Sequence, residues 1–252
     1  HEFDYGPDAL RELVADAPAT FVSANVRDEA GEPFGRDEGV VPWATREVGG
    51  ETVGFVGVTD PATDSLNPMA TDLSFDDPAA AVREGLAEMR TAVAAEGKPL
   101  DRAVILSHLG AGDDDLAREL DVDAILGGHV HSRRNEVVAD TLLVRPGVNG
   151  EAVAEVDLGP ATPTATLHEP DGADPAPGLA DALAERMAAA DLDETVDVVD
   201  EPIERTGDVV HGGECRVGNF VADAFRWALD ADVGLSNAGG LRQGDPWAGD
   251  VT

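Results

Sequence analysis

Of the 17 cationic side chains among 252 residues, only one is a lysine, Lys98; the other 16 are arginines. Against them stand 51 Asp and Glu, for a formal charge of −34. So few cations exclude nucleic acid as a default partner, because phosphate backbones are bound by neutralising them with Lys and Arg. They equally exclude docking on an anionic membrane surface, which requires basic clusters. The single cysteine, Cys215, excludes an intrachain disulfide framework. No apolar run approaches the ~20 residues of a membrane span. Aromatic residues are scarce as well, at 4%. Apolar residues are not: they make up 42% of the chain and fall in periodic segments, which argues against disorder despite the charge.

Uncompensated charge on this scale repels itself in dilute buffer. At about 1 M salt the Debye length is only about 3 Å, and most of that repulsion is screened. Acidic residues spread throughout, arginine in place of lysine, and abundant Ala, Gly and Val together resemble proteins of salt-accumulating halophiles. A calcium-binding surface is the alternative, but no EF-hand loop occurs and the acids are not gathered in one tail. On this reading the surface charge is an adaptation to solvent, and function must be sought in rarer residues. The chain opens on His1 instead of Met and stops at Thr252 in the middle of domain-like sequence, which predicts a piece of a longer protein. The compartment stays open: cytoplasmic, or exported from a cell living in high salt.

Periodicity predicts an α/β chain. Pro7 opens a helix over 7–16 with Leu10, Leu13 and Val14 on one face. Strands are expected at 20–26, 52–58, 103–107, 123–126, 141–145 and 152–158. Asp77–Pro78 begins a helix carrying Val82, Leu86, Met89 and Val93 at 3.6-residue spacing and ending at Gly97. A shorter helix is expected at 113–120. The stretch 160–177, dense in Pro, Thr, Gly and Asp, reads as a linker or surface loop. Beyond it come a helix over 177–190 through Leu179, Leu183 and Met187, another over 217–229, and a strand at 233–236 running into N-A-G-G-L-R. Strand–helix alternation gives way to a more antiparallel second half. We expect a first domain over 1–175, a linker helix over 176–195 and the start of a second domain over 196–252.

Three of the six histidines sit directly after predicted strands. His108 follows A-V-I-L-S, and His129 and His131 follow D-A-I-L as G-G-H-V-H. Strand ends feeding loops are where α/β proteins place ligands. Imidazole is a common ligand for divalent metals such as Zn and Mn, and the two glycines let backbone come close. The metallo-β-lactamase pattern H-x-H-x-D-H is excluded, since Ser132, Arg133 and Arg134 follow His131. His1 and Asp4, three residues apart in H-E-F-D-Y-G, suit a dyad in which the carboxylate sets the imidazole tautomer. Such an imidazole can protonate a leaving group or stabilise charge on a transferring phosphoryl.

H-E-F-D-Y-G resembles the tail of the G-N-H-E-F-D-Y-G motif of 5′-nucleotidases within the calcineurin-like metallophosphoesterases. F-V-S-A-N-V, I-L-S-H-L-G, D-V-D-A-I-L-G-G-H-V-H and V-R-P-G-V-N-G-E-A-V-A-E-V-D-L follow in that family's order. The run from Glu214 to Arg242 resembles the opening of its C-terminal nucleotide-binding domain. The resemblance, of haloarchaeal type, implies an αββα metallophosphoesterase sandwich lacking its first strands, followed by the start of an α/β C-terminal domain. It implies a two-metal hydrolase of nucleotide phosphate esters of the 5′-nucleotidase type. The alternatives are a 2′,3′-cyclic-nucleotide 2′-phosphodiesterase/3′-nucleotidase or, in a different class, a non-catalytic nucleotide- or metal-binding module.

The resemblance further implies His1 and Asp4 as the catalytic dyad. It implies His108 and His129 on one of two divalent ions (Mn, Zn or similar) and His131 on the other. Asn237, Gly239, Gly240 and Arg242 would hold the nucleotide, Arg242 gripping phosphate in a bidentate manner. The two domains would rotate to bring Asn237 and Arg242 to the metals. The family's D-x-H and G-D motifs and the Asn of G-N-H would precede residue 1, and the aromatics that sandwich the base would follow Thr252. Where the family often carries an Arg before E-x-x-x-G-N, this chain has His211, with Arg216 the candidate substitute. The piece 1–252 alone is therefore expected to bind metal weakly and to turn over little.

Overall fold

The computed structural model describes every residue except 160, 161, 193, 196, 242 and 252. The chain divides into two compact units, His1–Gly172 and Ala173–Thr252. Among the described residues no helix is long and apolar enough to cross a membrane.

The first unit opens with helix α1 (Pro7–Asp16), whose Leu10 and Val14 are buried. Leu13, expected on the same face, stays exposed. Next come β1 (Val26–Arg27), β2 (Trp43–Val48), β3 (Glu51–Thr59), α2 (Thr63–Leu66), β4 (Ser74–Phe75) and α3 (Pro78–Ala95). They are followed by β5 (Arg102–His108), α4 (Asp113–Glu119), β6 (Ala124–Gly127), β7 (Arg134–Val138), β8 (Thr141–Arg145), β9 (Val153–Asp157) and β10 (Thr164–His168). The main sheet has the order β2-β3-β5-β6-β8-β7. Its four inner strands are mutually parallel and both edge strands antiparallel. Near-continuous runs such as A-V-I-L and T-L-L-V suit strands buried on both faces.

Helix α3 covers one face. Its Val82, Leu86, Met89 and Val93 pack with Val56, Ile105, Ile125 and Leu143 in one cluster. Its limits follow local chemistry: Asp77 Oδ1 accepts the Ala80 N–H at 2.8 Å, Pro78 occupies the first turn, and Gly97 leaves with φ +77°. The β9–β10 hairpin covers the opposite face, setting Val156, Ala165 and Leu167 over Val53, Val104 and Leu142. Strand β10 therefore lies inside the stretch read as a linker. Thr164–His168 alternate between exposed and half-buried positions, a period of two that the surrounding prolines obscured.

The strand expected at 20–26 survives only as the two-residue β1 and an isolated Val22–Val41 bridge. The reason is a split of partners: Ser23 N–H donates to Val41 and Ala24 N–H to Gly57. A third apolar cluster, with Phe3, Leu10, Val14, Val26, Phe34 and Leu73, holds the amino-terminal segment down. Phe3 meets Phe34 edge-to-face at 5.3 Å.

The second unit contains α5 (Pro177–Ala189), β11 (Asp197–Arg205), α6 (Gly207–Gly212), α7 (Arg216–Ala228) and β12 (Gly244–Val251), with β11 and β12 antiparallel. The apolar stripe of α5 is present, but Leu179 and Leu183 are exposed. Residues 233–236 form no ladder. Gly234 instead lies so close to α7 that a Cβ there would sit 1.9 Å from the Ala222 carbonyl oxygen.

Candidate functional site

Three adjacent parallel strands deliver the site to one edge of the main sheet. The register sets Thr59 of β3 beside His108 of β5, and Ser107 of β5 beside Gly127 of β6. Asp60, His108 and His129 consequently emerge together at the carboxyl ends of the strands, where open α/β sheets bind ligands. The His108 and His129 rings lie 5.2 Å apart at 63°, and His129 Nε2 is 3.8 Å from Asp60 Oδ2. Asn25 steadies the end of β3: its Nδ2 donates to the Thr59 carbonyl at 2.8 Å, and its Oδ1 accepts the Thr59 N–H at 2.9 Å. His129 has φ +66°, a left-handed conformation that costs a non-glycine residue about 1–3 kcal/mol. Strain of this kind is retained where surrounding structure imposes it, and here it turns the imidazole towards Asp60 and His108.

The amino terminus brings in the dyad. His1 Nδ1 lies 2.9 Å from Asp4 Oδ2, and Asp4 Oδ1 accepts from Asn67 Nδ2 at 3.2 Å. The His1 ring stands 6.4 Å from that of His108. Between His1 and Asp4, Phe3 is buried in the aromatic cluster and so anchors the pair. Both side chains are well exposed, so the contact adds little stability. Its consequence is orientation: the carboxylate accepts from Nδ1 and leaves Nε2 for chemistry.

Burial pushes the His108 imidazole below its ordinary pKa, which favours the neutral ring. Its Nε2 is buried and has no hydrogen-bond partner among the described residues, a lone pair or N–H held away from water beside His129 and Asp60. Two imidazoles and a carboxylate suit a borderline divalent cation such as Zn or Mn. By that test the residues fit a metal. The cage is partial, since no group of three or more His, Cys, Asp or Glu among the described residues is already arranged to hold an ion. His131, two residues further along the same turn, is exposed and makes neither a ring contact nor a hydrogen bond with the described residues.

An apolar cavity of about 430 Å³ adjoins His108, lined by Phe3, Phe21, Val58, Leu106, Leu126 and Gly128 among others. In the second unit Asn237 Oδ1 accepts the Gly240 N–H at 3.2 Å, capping the turn Ala238–Gly240, and Gly239 and Gly240 are exposed. Arg242 lies outside the described residues. His211 Nε2 meets Gln243 Nε2 at 3.3 Å. Arg216 is engaged by β11, through the Pro202 carbonyl at 3.4 Å and Glu201 at 3.6 Å.

Sequence reasoning overlooked Asp60 and Asn67. The signal for Asp60 was available, because it is the first residue past β3, one position beyond Thr59, which pairs with His108 at the end of β5. Asn67 reaches Asp4 across 63 positions of sequence, with no local mark of it.

Residues 195–252 match the model of the 5′-nucleotidase C-terminal domain. The human 5′-nucleotidase is 31% identical over 133 residues, 51% of this chain and 22% of that protein. The trifunctional nucleotide phosphoesterase protein YfkN of Bacillus subtilis is 24% identical over 100% of this chain and 20% of its own length. Among solved structures, a 5′-nucleotidase precursor from Thermus thermophilus superimposes with a TM-score of 0.79 at 26% identity, covering 100% of this chain and 55% of that one. The chain thus spans about a fifth of the length of the curated relatives it matches.

Proposed function

The chain belongs to the 5′-nucleotidase and calcineurin-like phosphoesterase family, and from that membership we propose that it serves metal-dependent hydrolysis of nucleotide phosphate esters. The observation that carries the proposal is the convergence of His108, His129 and Asp60 at three neighbouring strand ends, with the His1–Asp4 dyad beside them. His108 and His129 would hold a divalent ion, with His131 offered to a second. Such ions supply Lewis-acid polarisation of phosphoryl oxygens and activation of water.

The chain's own residues do the rest. His1, its Nδ1 engaged by Asp4, presents Nε2 towards the phosphoryl group, donating to an equatorial oxygen or protonating the departing one. Asp60 faces His129 and favours the orientation that turns it to the ion. Asn237 and Arg242 of the second unit would bind the nucleotide, on a loop whose exposed Gly239 and Gly240 admit a close approach. The surface charge works against an anionic substrate, so the ions and the scarce arginines must provide the attraction. The partial cage favours a second reading, a module that binds nucleotide or metal without turnover.

Two measurements on residues 1–252 separate these readings. Titration with Mn²⁺ in molar KCl is expected to show weak binding that His108→Ala removes. Phosphate release from AMP and from 2′,3′-cyclic AMP then distinguishes monoesterase from cyclic diesterase by the ratio of rates. Binding without release supports the module. Mn²⁺ binding or hydrolysis indifferent to His108→Ala refutes the site.

A further inference from the structure

Directly beneath the two histidines lies a polar group that the proposed chemistry does not use. Asp113, the first residue of α4, is fully buried, and Ser107 and Arg145 beside it are nearly so. Ser107 Oγ donates to Asp113 Oδ1 at 2.5 Å and accepts the Leu109 N–H at 3.2 Å. The serine hydroxyl thus brackets His108, spanning from the residue before it to the residue after it. On the other side Asp113 Oδ2 faces Arg145 Nε at 3.8 Å, and neither atom has a hydrogen-bond partner among the described residues. Gly127 closes the space between them, since a Cβ there would lie 2.6 Å from Asp113 Oδ2. One residue on, a Cβ at Gly128 would lie 3.0 Å from His108 Nδ1. The next residue of α4, Asp114, grips Arg134 in bidentate fashion at 2.6 and 2.9 Å, and Arg134 follows the His129–His131 turn by three residues.

Stability is a poor explanation for Asp113. A buried ion pair at this separation returns little against the desolvation of two charges, and apolar replacements of similar volume are often neutral or better. Burial in fact pushes the Asp113 carboxyl above its ordinary value, against the pull of Ser107 and Arg145. What the arrangement does is mechanical: one helix end is tied to both histidine-bearing loops.

We infer that the first turn of α4 is a positioning device, in which Asp113 acting through Ser107 sets His108 and Asp114 acting through Arg134 sets the His129 turn. The inference rests on the reading of His108 and His129 as ligands, and it predicts that metal affinity depends on a residue that touches no metal. Supporting groups of this kind are worth about 10–100-fold in metal affinity.

The test compares wild type, Ser107→Ala, Ser107→Thr and Asp113→Asn over the full chain in molar KCl. Mn²⁺ affinity is read by titration, and the metal-free His108 ring by its ¹H–¹⁵N imidazole signals with His168 as control. Ser107→Ala removes one hydroxyl and serves if Asp113→Asn fails to fold. The expected result is a Mn²⁺ affinity lower by about tenfold or more in Ser107→Ala, recovered in Ser107→Thr, with His108 signals shifted or broadened and those of His168 unmoved. Unchanged affinity and unmoved His108 signals in Ser107→Ala overturn the inference while leaving the proposed site intact. Shifted His108 signals in a chain that binds no Mn²⁺ overturn the proposed site and keep the positioning role. A loss of thermal stability with both readouts unchanged reduces Asp113 to a structural residue and overturns the inference as well.

Discussion

Gly57 lies near the carboxyl end of β3, and its replacement by alanine is a sharp test of how the sheet holds the segment leading to Asn25. A Cβ at Gly57 would sit 2.1 Å from the Val22 carbonyl oxygen and 2.7 Å from the Val22 carbonyl carbon. That is about 1.3 Å inside ordinary van der Waals contact, and the obstacle is backbone, which cannot rotate aside. Residues 22–24 must move, yet Ser23 N–H to Val41 at 2.9 Å and Ala24 N–H to Gly57 at 2.8 Å pin them. Overpacking costs about 1–3 kcal/mol, and each hydrogen bond given up adds about 0.5–1.5 kcal/mol. With both bonds given up the sum is roughly 2–6 kcal/mol, a fall in Tm of roughly 4–24 °C for a unit of this size. Gly97→Ala is the control: φ there is +77° with open space around it, so only left-handed strain of about 1–2 kcal/mol applies. Circular-dichroism melts in molar KCl read both. A Gly57→Ala protein melting within about 2 °C of wild type refutes the packing of Val22 against β3.

Other consequences are as direct. With a formal charge of −34, Tm is expected to rise steadily between 0.1 and 1 M KCl as the Debye length shrinks from about 10 to about 3 Å; a flat response removes the halophilic reading. The raised pKa of Asp113 means that the folded state holds this proton more readily than the unfolded one. Its contribution is therefore present below the ordinary Asp value and lost as pH rises through the folded value. Asp113→Asn should consequently destabilise more at acid than at neutral pH, which melts of both proteins across pH 4–7 would check. Where hydrolysis is measurable, His1→Ala should lower its rate by roughly 10²–10⁴-fold with little change in KM, and Asp4→Asn by less, since on the proposed reading Asp4 orients and does not transfer. Equal, unchanged rates in both variants would dismiss the dyad.

How far local sequence reaches is visible in particular elements. Apolar runs at 103–107 and 141–145, the Asp77–Pro78 start of α3 and its Gly97 exit, and three histidines at or just past strand ends are all legible, because each is written within a few residues by propensity, capping or periodicity. The single cysteine likewise excludes a disulfide within residues 1–252 before any fold is considered. Tertiary structure decided the rest. Residues 20–26 have a strand's composition, yet they divide their hydrogen bonds between Val41 and Gly57 and keep only two residues of ladder. Residues 164–168 carry a strand inside a proline-rich stretch because β9 offers an edge to pair with. Leu179 and Leu183 show that periodicity names an apolar face without supplying its cover. The same holds at the candidate site: His108 and His129 stand out locally, but the approach of Asp60 to His129, the exposure of His131 and the Ser107–Asp113 hydrogen bond do not. Periodicity and capping are local free energies, encoded in consecutive residues. Pairing, burial and convergence at a strand edge are contacts between distant residues, fixed only when the sheet closes and sets its register.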